Sequence, residues 1–351
     1  MSDDRELVRG LVEIPSLSRQ EGDAVEWLVA RMAERGFRAS VDDAGNAVGE
    51  VGAGPGHVVL LGHIDTVPGE IPVRLEGGEL IGRGAVDAKG PLAAFVAAAT
   101  TPPPGLRITV VGAVEEESPT SAGARHRATL PAPQWCVIGE PSGWDGVTVG
   151  YKGRLVLRIT LERTARHGAA PGPTVSEEAL AVWAAVRSAA ESRGGAGFDR
   201  LDCRLEGISS GPAGGLVERA ELVLGYRLPP GVSVEEVEDE VRRITPERAG
   251  EATVVIVRTG AEQPIRTARS SPLAQTFARA IAAQGGRVAF KTKSGTSDMN
   301  VLAPAWGCPM VAYGPGDSSY DHTPIERLSL GDYDRSIAVL KGMLEGLAAI
   351  P

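Results

Sequence analysis

Four apolar residues in a row, Val58 to Leu61, run into Gly62-His63-Ile64-Asp65. A short, valine-rich run of this kind reads as a strand buried on both faces. Residues i and i+2 of a strand point to the same side, so His63 and Asp65 leave its end together. Open α/β sheets gather ligands at the ends of their strands, which makes this end a candidate site. A histidine paired with an aspartate for core structure is the competing reading.

The pattern recurs downstream. Leu106 to Val114 reads as a strand ending in Glu115-Glu116-Glu117, and Trp135 to Ile138 as one ending before Glu140-Pro141. Three predicted strands thus finish in acidic or metal-capable side chains. Around them, helices are predicted over Asp4 to Val12, from Leu92 to Ala99 behind Pro91, and over Ala122 to Leu130. Another is announced by Ser18-Arg19-Gln20-Glu21, which fits a capping box, with Val25, Leu28, Val29 and Met32 on its buried face. A hairpin is expected around Ala44 to Val48.

From Gly153 the pattern changes. Strand Leu155 to Leu161, helix Val175 to Ser192, strands Leu201 to Ile208 and Ala220 to Leu228, helix Val232 to Ile244 and strand Ala252 to Val257 follow. That βαββαβ order is that of a ferredoxin-like module. The α/β pattern then resumes with helix Pro272 to Ala283, strands Val288 to Lys291 and Met310 to Tyr313, and a helix from Leu330 to about Leu347. The expectation is a catalytic α/β domain of residues 1–152 and 263–351, interrupted by a second domain of residues 153–262.

At 351 residues the chain is long enough for two such cores. No apolar run reaches membrane-spanning length, and the start, Met1-Ser2-Asp3-Asp4-Arg5, lacks the shape of a secretory signal. Cys136, Cys203 and Cys308 lie far apart in apolar contexts, as reduced thiols of a cytoplasmic protein would. A net charge of -9 argues against nucleic-acid binding. Lys152, Arg154, Arg158, Arg163 and Arg166 nevertheless form a basic stripe opposed only by Glu162. It reads either as a charged edge strand or as a docking surface for an acidic protein substrate.

The chemistry-bearing residues are His63, Asp87, Glu117, Glu140 and the distant His322. Two imidazoles and three carboxylates suit zinc, cobalt or manganese and are too nitrogen-rich for calcium. Two ions sharing one carboxylate would use all five groups and, about 3.5 Å apart, could activate one water. A free carboxylate must then take the proton and pass it to a leaving amine. The Glu115-Glu116-Glu117 run supplies such a group, although a triple glutamate elsewhere is simply a solvated loop.

Gly62-His63-Ile64-Asp65-Thr66-Val67-Pro68, Gly82-Arg83-Gly84 to Asp87-Ala88-Lys89-Gly90, Glu115-Glu116-Glu117, Gly139-Glu140-Pro141 and Asp321-His322-Thr323-Pro324 together resemble the M20 metallopeptidases. Within that family, Gly139 to Leu155 and Lys293 to Asn300 most resemble the branch that removes lysine or ornithine from the acidic amino-group carrier protein LysW.

The resemblance implies a zinc-peptidase-like catalytic domain, a mixed sheet flanked by helices, interrupted by a ferredoxin-like lid that also dimerises. It implies two divalent ions, zinc before cobalt or manganese. One would be held by His63, Asp87 and Glu140, the other by Asp87, Glu117 and His322. Asp65 would orient His63, Glu116 would be the general base, and the Asp87-Ala88 bond would be cis. His167 matches a lid histidine that donates to the oxyanion, with a surface histidine as the alternative. Arg227 would grip a substrate carboxylate and Thr296 and Ser297 would contact one, with a helix cap as the alternative for Ser297. Gly214 and Val217 stand where many relatives have asparagine and proline, a departure in the expected substrate contacts of the lid.

The expected activity is cleavage of the amide joining lysine or ornithine to the carrier, in lysine or arginine biosynthesis. Its alternatives are deacetylation of acetyl-lysine or acetylornithine, a desuccinylase-like reaction, or a dipeptidase acting on small acylated substrates. From another class, a metal-bound scaffold without turnover is disfavoured by the intact Glu116.

Overall fold

The computed structural model describes residues 2–167 and 169–350. Two compact units result, one of Met1–Gly150, Thr267–Thr292 and Ser297–Pro351, the other of Tyr151–Arg266 and Lys293–Thr296. The first unit is built on a mixed sheet whose strands lie in the order Arg38–Val41, Ala47–Gly52, Leu106–Ala113, Gly56–His63, Trp135–Gly139, Met310–Ala312 and Gly146–Tyr151. Gly56–His63 is central and pairs in parallel with Leu106–Ala113 on one side and Trp135–Gly139 on the other. Val58 to Leu61 are at most 1% exposed, as the unbroken apolar run requires.

Helix Lys89–Ala99 is buried along its whole length, so no polar face is needed and none is present. It packs on the ends of the central strands. A Cβ on Gly62 would meet Leu92 at 3.3 Å, and one on Gly139 would meet Phe95 at 2.9 Å. Gly62 and Gly139 are register partners, and their missing side chains make room for that helix. The loop before it is thereby brought to the strand ends. A separate antiparallel sheet of Arg74–Glu76, Glu79–Ile81 and Arg327–Ser329 ties the chain after residue 322 to the stretch before Gly82.

The second unit carries an antiparallel sheet in the order Asp202–Pro212, Val217–Leu228, Gly153–Thr164, Thr253–Glu262, with helices Val175–Ser192 and Val234–Arg248. Its core is Leu155, Leu157, Ile159 and Leu161 against Leu222, Leu224, Val182 and Val237, among others. This is the ferredoxin-like arrangement expected from the element order. No helix among the described residues is long and apolar enough to cross a membrane.

Strand Gly146–Tyr151 was not expected, and three further features differ from the expectations. The Ser18 capping box does not form: the helix is Gly22–Glu34, with no side-chain cap. Helix Asp298–Trp306, foreseen only through the alternative in which Ser297 caps a helix, has its pattern broken by Pro304. The short strands of the small sheet, three residues each, carry no periodic signal.

Candidate metal centre

Each strand end delivers one group. His63 is the last residue of Gly56–His63, and Glu140 follows Trp135–Gly139; they are 2% and 8% exposed. Asp87 lies two residues before helix Lys89–Ala99, and its bond to Ala88 is cis. Glu117 and Glu116 lie in the turn after Leu106–Ala113. His322 comes from the far end of the chain, behind the short turn Ser318–Tyr320, and takes a left-handed φ of 59°.

These groups converge. His63 Nε2 lies 3.0 Å from Asp87 Oδ1, and His322 Nε2 lies 3.1 Å from Asp87 Oδ2 and 2.9 Å from Glu117 Oε1. Ligand-capable atoms of His63, Asp87 and Glu140 all fall within 4.8 Å of one another, and so do those of Asp87, Glu117 and His322. The two triads share Asp87, which offers one carboxylate oxygen to each imidazole.

Asp65 does something the sequence did not indicate. His63 Nδ1 hydrogen-bonds the Asp65 carbonyl oxygen at 2.9 Å, while the Asp65 carboxylate is 3.6 Å away. That carboxylate, fully buried, instead accepts from the Glu116 N–H at 3.1 Å, the Glu117 N–H at 3.0 Å and the Ser18 hydroxyl at 2.7 Å. The adjacent Glu115 N–H donates to Glu21 Oε1 at 3.0 Å. Ser18 and Glu21, the two ends of the expected capping box, therefore serve this site. Three successive amides of the acidic turn are pinned by two buried carboxylates, and the glutamate run is no free loop.

Electrostatics follow from crowding. Burial would raise the Asp87 carboxyl, but hydrogen bonds from His322 and His63 hold it well below the usual carboxylate range. His322 is pushed up to about 10 by hydrogen bonds to Asp87 and Glu117. His63 is raised as well: burial opposes it, but Asp65 and Asp87 outweigh that. Glu116 is raised well above its ordinary value by desolvation, with Glu140, Asp298 and Glu117 adding to it and His63 opposing. A knot of carboxylates that holds both imidazoles toward imidazolium is a site that demands positive charge. Divalent cations fit that demand, and the nitrogen and oxygen donors fit zinc, cobalt or manganese.

Glu326, and the burial of Asp298 in the expected substrate-contact loop, were not anticipated. Asp298 is 2% exposed, neither carboxylate oxygen has a hydrogen-bond partner among the described residues, and burial pushes it up to about 8. Glu326 is fully buried and bonded to the Asp87 loop. Nothing in sequence marks either acid as buried. Next to Asp298, Ser297 caps the helix: its hydroxyl accepts from the Met299 N–H at 3.2 Å, and Asn300 bonds back to the Ser297 N–H at 3.0 Å.

In the second unit, His167 is exposed, and its Nδ1 accepts from the Ala169 N–H at 3.1 Å. Arg227 on strand Val217–Leu228 has a buried Nη1 with no hydrogen-bond partner among the described residues, an unspent donor. Thr296 is half-buried. The basic stripe does not stand free. Lys152 bonds Asp202 at 2.6 Å, Arg163 bonds Glu178 at 3.0 Å and Glu218 at 3.1 Å, and Arg154 lies 3.8 Å from Glu262. Arg158 pairs with Glu221, and Arg166 donates to the Pro173 carbonyl. The acids that neutralise it come from other strands and a helix, which is why the local sequence exaggerated its charge. Strand Gly153–Thr164 lies between Val217–Leu228 and Thr253–Glu262, so its arginines guard no edge, and the charged-edge reading is corrected to paired charges on an interior strand.

The model of the peptidase family M20/M25/M40 matches residues 59–346. A Deinococcus radiodurans protein named LysW-lysine hydrolase is 46% identical over 98% of this chain and 96% of its own. A Thermococcus kodakarensis protein named putative LysW-lysine/LysW-ornithine hydrolase is 40% identical, covering 97% and 91%. Among solved structures, the aminopeptidase PepT from Bacillus cereus superposes with a TM-score of 0.80 at 19% identity, covering 99% of both chains. The Bacillus subtilis YxeP protein, described as a dinuclear metal binding peptidase of the M20 family, gives 0.75 at 14% identity, covering 99% and 98%.

Proposed function

The chain belongs to the peptidase family M20/M25/M40, and on that premise we propose that it uses two divalent ions to release lysine or ornithine from the carrier protein LysW. The relatives named for that reaction support the substrate. The observation that carries the mechanism is the Asp87 carboxylate, which meets His63 through one oxygen and His322 through the other. His63, Asp87 and Glu140 would hold one ion, and Asp87, Glu117 and His322 the other. Zinc suits the donors best, with cobalt or manganese as alternatives. The ions would supply Lewis acidity, polarising the amide carbonyl and acidifying a water.

The chain's own groups do the rest. Glu116, raised above the ordinary carboxylate range, takes a proton from water as the C–O bond forms and returns it to the departing nitrogen as the C–N bond breaks. Asp65 keeps Glu116 and Glu117 in place through their amides. Arg227, with its unspent donor, is assigned to a substrate carboxylate, and His167 to the oxyanion. The Ser297 hydroxyl is engaged as a helix cap, which leaves Thr296 as the better substrate contact of the two.

A homodimer through the second unit is part of the proposal. Edge strand Thr253–Glu262 exposes Val255 and Val257 to 52% and 47%, an apolar face that a second copy would cover. Three free cysteines accord with a reducing, cytoplasmic setting. The test is turnover of carrier-linked lysine, carrier-linked ornithine, acetyl-lysine and acetylornithine by the zinc-loaded protein. Release from the carrier at least 100-fold faster than deacetylation is expected, on the order of 3 kcal/mol of discrimination. Faster deacetylation would overturn the carrier assignment and favour the small-substrate reading.

A further inference from the structure

One residue grips Asp87 from the side opposite the imidazoles. Glu326 Oε1 accepts from the Val86 N–H at 2.9 Å and from the Asp87 N–H at 3.0 Å. Its Oε2 takes Arg83 Nη1 at 2.8 Å, and its carbonyl oxygen accepts from the Gly82 N–H at 3.3 Å. The carboxylate is 1% exposed and Arg83 13%, so this is a buried, fully used acid rather than a surface ion pair. The strand that follows it, Arg327–Ser329, pairs with Glu79–Ile81 just before Gly82. Glu326 therefore fastens the whole 82–87 loop to the chain that carries His322.

His322 and Glu326 are four residues apart and hold the same aspartate at two points: His322 its carboxylate, Glu326 its amide. The spacing between Asp87 and His322 is the spacing on which the second triad depends. We propose that Glu326 is a positioning residue for the Asp87–Glu117–His322 metal position, acting through the amides of Val86 and Asp87 and not by touching metal or substrate. The proposal rests on the reading that this triad binds a divalent ion.

Removing the acid alone would strand the buried Arg83 cation and confuse the result. Two paired variants avoid this. Arg83→Met with Glu326→Gln loses the ion pair and keeps an oxygen for the two amides; Arg83→Met with Glu326→Leu loses both. Zinc binding to the purified full-length protein is followed by calorimetry, with thermal denaturation as the control for folding. The wild-type protein is expected to bind two equivalents. The glutamine pair should keep both affinities within about 3-fold, while the leucine pair should weaken the His322 site about 10–100-fold and the His63 site, which shares Asp87, by less.

Equal affinities in the two pairs, whether both normal or both reduced, would overturn the positioning role and leave Glu326 a structural contact. If the leucine pair does not fold, Arg83→Met with Glu326→Met, which fills similar space and equally leaves the two N–H groups without an acceptor, decides the matter: the His322 site should again loosen about 10-fold or more, and affinities equal to those of the glutamine pair would overturn the proposal. A wild-type protein that binds fewer than two equivalents would instead refute the two-ion reading itself.

Discussion

Replacing Asp65 with asparagine keeps the shape of a fully buried side chain and removes half of its accepting capacity. The carboxylate takes one donor on Oδ1, the Glu116 N–H, and two on Oδ2, the Glu117 N–H and the Ser18 hydroxyl. An asparagine oxygen can satisfy the Oδ2 side, and its amino group must then face the Glu116 N–H, donor against donor. One charge-assisted hydrogen bond is lost and one N–H is left unsatisfied, at a cost of about 2–3 kcal/mol. At 1.4 kcal/mol per tenfold, the Glu116 amide proton should exchange about 30–100-fold faster in Asp65→Asn when opening is local. Asp65→Ala, which deprives all three donors, should roughly double the cost, whereas Ser18→Ala should cost about 1 kcal/mol. Hydrogen exchange read by mass spectrometry on a peptide spanning residues 114–118 makes the comparison. If the Glu116 and Glu117 amides exchange at the wild-type rate in Asp65→Asn, the carboxylate does not hold the acidic turn, and the role assigned to Asp65 is wrong.

Glu116→Gln should retain bound zinc and lose about 10³–10⁴ of kcat, since proton transfer is its whole contribution; metal analysis beside turnover checks both halves. Arg227→Met should raise KM about 10–100-fold with kcat within a few-fold, the signature of lost ground-state binding to a carboxylate. His57 gives a pH prediction: burial, with Arg107 and Arg127 nearby, lowers it to about 4 from an unfolded value near 6.5. Between those values the unfolded chain binds more protons, so stability is complete above pH 6.5 and falls as the solution is acidified toward 4. For a half-exposed ring that loss is about 1–2 kcal/mol after screening, and denaturant titrations of His57→Gln across this range should lack it.

Much of the architecture is written in local pattern. The Val58–Leu61 run, the valine-rich 106–113 strand and the helical spacing of 175–192 and 272–283 give elements whose type and limits match the structure closely. The elements that escaped are the three-residue strands, the short buried strand Gly146–Tyr151, and the full extent of helix Asp298–Trp306, which a proline interrupts. Glycines at 62 and 139 were legible as motif letters, while their purpose, letting helix Lys89–Ala99 settle against the strand ends, is visible only in three dimensions.

At the site the asymmetry is sharper. Residue types and order pointed to His63, Asp87, Glu117, Glu140 and His322, and the fold draws them together. The acids that support them did not announce themselves. Glu21 looked like a helix cap and Glu326 carried no signal, because a buried carboxylate is defined by partners 94 and 239 positions away in the chain. The basic stripe failed in the opposite direction, since its neutralising acids arrive from other elements of the same unit.

Anomalous diffraction at the zinc edge, from crystals of the zinc-loaded protein, addresses the central claim most directly. Two peaks about 3.5–4 Å apart are predicted, with Asp87 between them, His63 and Glu140 on one and Glu117 and His322 on the other. A single peak, or a pair that does not share Asp87, would contradict the account.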